Sequence, residues 1–377
     1  MADFVPVNQP MLDGNEKKYL LDCIESGWIS SEGPFIKQFE EKFAARVGRK
    51  HGIAVTNGTA AIDAAVDAIG IGPGDEVILP TFTIISCILQ IVRSGGVPVL
   101  VDSDPVTWNM DVNQIEAKIT QRTKAIMVVH IYGLHVDMNP VLEIARRHSL
   151  KIIEDAAEMH GQTYRGKACG SFGDISTFSF YPNKHITTGE GGMIVTDDDE
   201  IAETCRSLRN LCFQQQNRFV HERLGWNLRM TNMQAALGLA QLERLDEFVH
   251  LKRQMGLHYT QLLAGFPSVQ LPLTQIDYAK NIFWVFGIVL DERIGFDAKE
   301  AMRRLALESI GTRPFFCPMH IQPVLRRMGL FKDQSYPVAE RLYQQGFYIP
   351  SGTALTTKQI EQSALAVKNC LREQYCL

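Results

Sequence analysis

The sequence lacks the cysteine pairs, apolar runs and leader pattern that mark metal-binding, membrane and secreted proteins. Its eight cysteines, at 23, 87, 169, 205, 212, 317, 370 and 376, form no CxxC pair, so we expect reduced thiols and no metal site. No apolar run reaches the ~18 residues of a membrane span. The opening residues MADFVPVNQP have neither the basic cluster nor the apolar stretch of a secretory leader. The expected location is therefore the cytoplasm, without a membrane segment.

The chain also lacks an excess of charge of either sign. Its 38 Lys and Arg residues nearly balance 42 Asp and Glu residues, which leaves a formal net charge of −4. No basic block or aromatic-basic alternation occurs, which argues against a nucleic-acid partner. With 377 residues, 45% of them hydrophobic, the chain can form one large domain and a smaller one.

Short apolar runs alternate with helical patterns between residues 51 and 196. The runs are HGIAVT, EVILP, PVLVD, KAIMVVH, KIIED, STFSF and GMIVT. Because these runs are apolar on both faces, they predict a mostly parallel α/β sheet covered by helices on each side. The last two runs, 175–180 and 192–196, have no helix between them, so the sheet has room for one antiparallel strand.

The flanking segments predict a second, smaller domain. Two amphipathic helices are expected near 14–26 and 35–47, and one long helix, from TNMQ to LLAG, should bridge the domains. From about 268, IFWVFGIVL reads as a strand and AKEAMRRLALES as a helix. We therefore expect a large α/β domain at 27–245, and an α+β domain formed by 1–26 with 246–377.

The stretch VTNGTAAI joins a strand to a helix and has the features of an anion site. Gly58 allows close approach of the backbone, while Thr59 and Ala60 offer N–H groups and a hydroxyl at a helix N-terminus. An ordinary helix cap with a turn glycine is the alternative.

Two further strand ends carry charged residues. KIIEDAAEMHG ends a buried strand with Glu154 and Asp155, and Lys184 follows Asp155 by 29 residues, with Ser179 five residues before the lysine. Taken singly, the acids predict a cap or salt bridge, and the lysine a solvated loop cation. Ligands bind at the carboxyl ends of strands in open α/β sheets. There, a phosphate cradle, a carboxylate and an amine together match the three handles of pyridoxal phosphate.

These residues carry a resemblance to the DegT/StrS-type sugar aminotransferases, which are fold-type I pyridoxal phosphate enzymes. The matching motifs, in order, are NGTAA, PTFT, VHIYG, EDAA…HG, GDISTFSFYPNKHITTGEGGMIVT and WNLRMTNMQAALGLAQLERLDE. By this resemblance Lys184 binds the cofactor aldehyde and shuttles the proton. Asp155 would face the pyridine nitrogen, and Glu158 would lie beside the 3′ oxygen as a protonated or water-bridged group.

The resemblance implies further cofactor contacts and an obligatory homodimer, with a tetramer left open. Thr59 and Ser179 would hold the phosphate, and Asn227 would reach the phosphate of the neighbouring subunit. Ile84 stands where the family usually has an aromatic over the cofactor ring, so stacking there is lost although the face stays covered.

Substrate contacts are expected from residues that also have plain structural interpretations, such as packing or interface salt bridges. The candidates are Trp28, Ser31, His160, Arg229, Arg313, Phe316 and His320.

LDGNE, SGWISS, EDAAE, RMTN and RPFFCPMH resemble the branch of the family that aminates carbon 4 of GDP-4-keto-6-deoxymannose with L-glutamate as donor. That reaction yields GDP-perosamine, a precursor of O-antigen lipopolysaccharide. Three alternatives stay open: a UDP-linked 4-keto-6-deoxy aminosugar as acceptor, a 3-keto sugar, and a non-catalytic regulator that kept the fold.

Overall fold

The computed structural model describes residues 3–214, 216–266 and 268–372. The α-helices in chain order are α1 Glu16–Ser26, α2 Pro34–Val47, α3 Gly58–Ala68, α4 Ser86–Arg93, α5 Met138–His148, α6 Asp199–Arg209, α7 Asn232–Leu242, α8 Leu245–Leu263, α9 Ala298–Leu307, α10 Pro323–Arg327, α11 Pro337–Gln345 and α12 Thr357–Arg372. Short 3₁₀ helices cover Val112–Gln114, Glu116–Lys118, Glu292–Ile294 and Met319–Ile321.

The strands in chain order are β1 His51–Val55, β2 Glu76–Pro80, β3 Val97–Val101, β4 Thr123–Val129, β5 Lys151–Asp155, β6 Thr163–Tyr164, β7 Lys167–Ala168, β8 Ile175–Ser179, β9 Gly192–Thr196, β10 Val269–Gln270, β11 Gln275–Ile276, β12 Ala279–Lys280, β13 Phe286–Leu290, β14 Arg313–Pro314 and β15 Gly346–Ile349.

Seven strands form the central sheet in the order β1-β9-β8-β5-β4-β2-β3. Strands β3, β2, β4, β5 and β8 run parallel, and β9 runs antiparallel to both of its neighbours. Strands β2 and β9 are buried along their whole length and the other five over most of it, because helices cover both faces of the sheet, as the apolar runs predict. A mostly parallel sheet of the fold-type I class, with one antiparallel member, is therefore confirmed.

A second, antiparallel sheet has the order β10-β13-β15-β14. Its core contains Tyr259 of α8, Phe286 and Ile288 of β13, Phe347 of β15 and Val367 of α12. We propose that each sheet belongs to one of the two expected domains. The large domain would then end near residue 245, where α8 begins.

The expectation of one long helix over 231–265 is wrong, because the chain turns between α7 and α8. Arg244 leaves helical geometry, with φ −114° and ψ 13°, and its guanidinium binds Asp13 and Glu247. These contacts stabilise the turn and orient α8 toward the small sheet.

The expected strand 282–290 is shortened at its start, and residues 282–285 precede β13 as an irregular segment. The Ile282 N–H donates to the Gly133 carbonyl and the Phe283 N–H to the Asn281 side chain, at 3.1 and 2.7 Å. Because these donors bind outside the small sheet, the segment lies against the large sheet's edge instead of extending β13.

The N-terminal segment ties the two sheets together. Val5 pairs with Ile310, the Val7 carbonyl accepts from the Ser351 N–H at 2.9 Å, and the Asn8 amide donates to the Pro182 carbonyl at 2.8 Å. The segment therefore runs from the small domain to the turn that carries Lys184.

Within the part of the chain that the structure describes, no helix is both long and apolar enough to cross a bilayer.

Candidate active site

A cavity of about 690 Å³ lies where the carboxyl ends of β4, β5 and β8 meet the N-terminus of α3. It brings together residues that are far apart in the sequence, from Thr56 to Tyr348. Nine of the predicted site residues line it: Gly58, Thr59, Ala60, Ile84, Asp155, Glu158, Ser179, Lys184 and Phe316.

The α3 end of the cavity has the geometry of an anion site. The Asn57 side chain caps the helix by accepting from the Ala60 N–H at 2.8 Å, and the first-turn N–H groups of a helix have no intrahelical acceptor. The Thr59 hydroxyl lies 2.7 Å from that of Ser86. A Cβ added at Gly58 would lie 2.7 Å from Ser179 Cβ, so glycine is what lets the helix start approach β8.

Asp155 supplies a buried carboxylate in the middle of the cavity. It ends β5, where its Oδ1 accepts from the Ala157 N–H at 3.0 Å and its Oδ2 from the Cys87 thiol at 3.2 Å. Burial raises the pKa of Asp155, while these two donors and the charge of Lys184 act in the opposite direction. A cationic ring nitrogen is the partner that such a carboxylate would favour.

Lys184 lies in the turn between β8 and β9, with its side chain buried. Its Nζ is 3.9 Å from Glu158 Oε1 and 4.0 Å from the centroid of the Trp284 ring. Burial lowers the pKa of Lys184, against the opposing effect of Glu158 and Asp155. A depressed pKa increases the fraction of neutral amine, which is the form that attacks a carbonyl carbon.

Glu158 faces the same space from the turn after β5. Its Oε2 accepts from the Tyr132 N–H at 2.7 Å. Burial raises the pKa of Glu158 to about 8, although Lys184 and the Tyr132 N–H oppose this. The carboxyl is therefore mainly protonated at neutral pH, in the direction expected for a group beside an oxyanion.

The three groups fit pyridoxal phosphate in type. The cavity combines an anion cradle, a carboxylate suited to a protonated ring nitrogen, and an amine with a depressed pKa. Ile84, whose surface is 46% exposed, forms part of the wall and offers an apolar face to a planar ring.

Two histidines predicted to contact substrate lie elsewhere. The His160 ring is buried against Phe43, Phe178 and Phe180, where burial lowers its pKa to about 3. His320 is also buried, and its two ring nitrogens lie 2.8 Å from Thr81 Oγ1 and 3.0 Å from Glu340 Oε1. Neither residue lines the cavity, so their contacts with the substrate stay predictions.

Trp28, Ser31 and Arg229 line a different cavity of about 720 Å³. There the Arg229 guanidinium donates to the Asn210 side chain at 2.5 Å, and the exposed Asn227 pairs with Asn210 through the backbone. Within one subunit, these four predicted residues therefore do not line the cavity that contains Lys184.

Arg313 lines a cleft of about 190 Å³ beside the main cavity. The cleft and the cavity share four residues: Tyr181, Asn183, Trp284 and Tyr348. Arg313 is exposed. Among the described contacts, the only hydrogen bond of its side chain goes to the adjacent Thr312 carbonyl, at 2.8 Å. It can therefore turn toward a ligand that extends out of the cavity.

Sequence reasoning missed Trp284, Tyr348 and Cys87. Trp284 and Tyr348 come from the small domain, and Cys87 is the second residue of α4. In the sequence, a tryptophan inside IFWVFGIVL cannot be distinguished from a core residue. In the structure, Trp284 precedes the start of β13, and its ring lies under Lys184 Nζ.

Beneath the site, His130, His135, Glu154 and Cys169 are buried with potential ligand atoms within 4.8 Å of one another. The hydrogen bonds indicate a polar network instead of a metal centre. His130 Nδ1 accepts from the Val136 N–H, so Nε2 carries the proton and donates to Glu154. Burial opposes ionisation of Glu154, yet His130 and the N–H of Gly170 hold its pKa well below the usual range.

The family comparison agrees with this geometry. The DegT/DnrJ/EryC1/StrS aminotransferase family model matches residues 10–368, and the chain belongs to that family. A Caulobacter vibrioides relative named GDP-perosamine synthase is 45% identical over 368 residues, which is 97% of this chain and 98% of the relative. A solved aminotransferase, TlmJ from Streptoalloteichus hindustanus, is 28% identical with a TM-score of 0.92, covering 98% of this chain and 100% of that one.

The protein is an aminotransferase that uses pyridoxal phosphate. A Bacillus subtilis relative, EpsN, is named as a pyridoxal phosphate-dependent aminotransferase. It is 34% identical over 359 residues, which is 93% of this chain and 91% of the relative. The alternative of a non-catalytic regulator is therefore set aside.

Proposed function

We propose that the protein transfers the amino group of L-glutamate to carbon 4 of GDP-4-keto-6-deoxy-D-mannose and so forms GDP-perosamine. The observation that supports this substrate is the 45% identity, over nearly the whole chain, to a relative named for that product. The product would serve O-antigen lipopolysaccharide synthesis.

In this proposal the chain binds both ends of the cofactor, which, when bound, supplies an electron-accepting ring for the bond changes at the substrate carbon. The start of α3, with Thr59 and Ser179, holds the phosphate. The Asp155 carboxylate keeps the ring nitrogen protonated, and the Ala157 N–H and Cys87 thiol fix the orientation of that carboxylate.

Lys184 moves the proton. When the cofactor is bound, Lys184 Nζ would accept the proton from glutamate Cα and later return it, and the same group would carry the proton in the reverse direction when the ketone substrate is aminated. The protonated Glu158 carboxyl donates to the cofactor oxygen beside it. Phe316 lines the cavity and Arg313 borders it, so these two would contact the nucleotide sugar.

A homodimer would complete the site. Trp28, Asn227 and Arg229 lie on a surface away from Lys184 in their own subunit, and the segment beside them exposes Phe219, Val220 and Leu224, the last at 90%. Apolar side chains of this size exposed together favour a protein partner. A second copy placed there would receive Asn227 at its phosphate end.

The proposed location is the cytoplasm. The seven cysteines within the described residues are free, as is usual in a reducing compartment.

The role of Lys184 is tested by borohydride reduction of the holoenzyme followed by peptide mapping. The cofactor should be fixed to the peptide that contains Lys184, and Lys184→Ala should keep the fold but lose this label. A label on Lys124 or Lys167 would end the assignment.

The acceptor is tested by measuring kcat/KM for GDP- and UDP-linked 4-keto-6-deoxy sugars at fixed glutamate. We expect the GDP-linked mannose derivative to be preferred. Preference for a UDP-linked acceptor would overturn the perosamine proposal and leave the aminotransferase assignment in place.

A further inference from the structure

The Lys184 amine lies over an aromatic face instead of in a hydrogen bond with an acid. Its Nζ is 4.0 Å from the centre of the Trp284 ring. The closest carboxylate oxygen, Glu158 Oε1, is 3.9 Å away, which is too far for a hydrogen bond. A cation within about 6 Å of an indole face is attracted by the ring quadrupole.

Trp284 is itself held at three points. Its indole N–H donates to the Asn183 carbonyl at 2.8 Å, and its ring stacks on Phe316 at an interplanar angle of 15°. Its own carbonyl accepts from Lys252 Nζ at 2.9 Å. Because Asn183 precedes Lys184 in the chain, the indole and the lysine turn are fixed to each other.

Lys252 gives this arrangement a rigid support. It is 1% exposed, lies on α8, and donates to the Ser351 carbonyl as well as to that of Trp284. Carbonyls of two separate small-domain segments thus share one buried amino group. Burial and the charge of Lys184 lower the pKa of Lys252 to about 7, and an amine N–H donates to the two carbonyls in either protonation state.

We propose that Trp284 is a positioning residue for the transamination step, and that its indole face holds Lys184 Nζ in position while the amine carries the substrate proton; Lys252 fixes the backbone of Trp284. This inference rests on the proposed role of Lys184 as the cofactor lysine.

The chemistry explains why an indole suits this position. Lys184 Nζ would take a proton from the substrate carbon and give the same proton back as an ammonium, while the bound cofactor would supply the electron-accepting ring that takes up the bonding pair. An ionised acid in hydrogen-bond contact would compete for that proton. An indole face attracts the ammonium but has no lone pair in the ring plane to accept from it, so the proton stays available for return.

The charged and titratable groups that face Lys184 come from several elements. They are Glu158, Asp155, the Cys87 thiol and Lys252, with the buried rings of His160 and His185 nearby. All of them stay in place when Trp284 is changed, so a comparison of Trp284 variants isolates the contribution of the indole.

The first measurement tests the geometry without catalysis. Protein labelled with [ε-¹³C]lysine is prepared with the cofactor in its amine form, which leaves Lys184 free, and Lys184→Ala identifies the signal. We expect the Lys184 ε-proton signal to be shifted upfield by the indole ring current, and to return to the ordinary lysine range in Trp284→Leu. An ordinary shift in the native holoenzyme would overturn the proposal.

The second measurement is the rate of the half-reaction with L-glutamate, followed by cofactor absorbance. Trp284→Leu should lower the maximal rate about tenfold, and Trp284→Phe, which keeps a weaker aromatic face, about threefold. Cofactor Kd and the KM for glutamate should stay within about twofold. Trp108→Leu is the matched control, because Trp108 is buried in the same core cluster but lies outside the cavity, and its rate should match the native rate.

The outcomes separate this inference from the proposed function. Equal rates in the Phe and Leu variants, or a loss in Trp108→Leu as large as in Trp284→Leu, would reduce Trp284 to a packing residue while Lys184 keeps its role. A borohydride label on another lysine would instead remove the proposed role of Lys184 and this inference with it.

Discussion

At the scale of single residues, Glu158 ties the chemistry of the site to the stability of the fold. Its pKa is raised to about 8 because the carboxyl is buried, whereas an unfolded chain would leave it near 4.3. Between these two values the folded state binds a proton that the unfolded state does not. This acid therefore makes the protein less stable as pH rises through that window.

Glu158→Gln should remove this pH dependence. Between pH 5 and pH 8 we expect the variant to gain stability relative to the native chain, by up to about 1.4 kcal/mol per pH unit. The melting temperatures of both proteins without cofactor, measured at pH 5, 6.5 and 8, test this. Parallel melting curves across the range would show that Glu158 is ionised in the folded state.

Arg313→Ala should impair binding of the nucleotide sugar and spare the reaction with glutamate. A charge-assisted contact to a diphosphate is worth about 1.5–3 kcal/mol, so the KM for the sugar should rise at least about tenfold. Stopped-flow rates with glutamate should be almost unchanged. Arg327→Ala, an exposed arginine on α10 outside the three cavities, is the control, and an equal effect of both variants would argue against a specific contact.

How far the sequence predicts the site depends on where each residue comes from. Gly58, Asp155 and Lys184 follow strands of one sheet, so strand order alone brings them to one edge. His160 and His320 do not line the cavity, and the sequence does not show that their rings pack among phenylalanines or bond to Thr81 and Glu340. The Trp284 contact could not be foreseen, because it depends on how the small domain packs on the large one.

At the scale of elements, the start of α3 depends on the absence of a side chain at Gly58. Gly58→Ala would place a methyl group 2.7 Å from Ser179 Cβ, so the helix start must shift away from β8, at a cost of about 1–3 kcal/mol. We expect weaker phosphate binding, measured as a higher cofactor Kd, together with a lower melting temperature.

Gly72→Ala is the matched control for that substitution. At Gly72 the nearest atom to an added Cβ is Asp75 Oδ2, at 3.9 Å, so this variant should keep the native Kd. If the two alanine variants retained cofactor equally well, close approach at Gly58 would not be needed.

The helices also show a limit of structure prediction from hydrophobic periodicity. Helical periodicity continues across 231–265 because α7 and α8 are both amphipathic or apolar, and neither glycine nor proline separates them at 243–244. The turn instead depends on Arg244 binding Asp13, a partner 231 residues away. Local pattern therefore identifies both helices and misses the angle between them.

At the scale of the whole molecule, the proposed dimer makes a complementation test possible. Asn227→Ala and Lys184→Ala should each be nearly inactive. When subunits are exchanged, one site of the mixed dimer would contain Lys184 from one chain and Asn227 from the other, so part of the activity should return. Recovery is measured after mixing at matched concentrations, with exchange followed by differently tagged chains. Proven exchange without any recovery would rule out a shared site.

The N-terminal segment gives the molecule an unusual response to mechanical force. Residues 5–8 are bonded to Ile310, Ser351 and Pro182, and Pro182 is two residues from Lys184. Tension applied to this end in an optical trap would first load the bonds to Ile310 and Ser351, and would then reach the lysine turn through the Asn8 amide before it loaded any strand of the central sheet. A chain pulled from its N-terminal end should release its cofactor at a force well below that needed to unravel the sheet, whereas tension applied through α12 would load the small domain without passing through that amide.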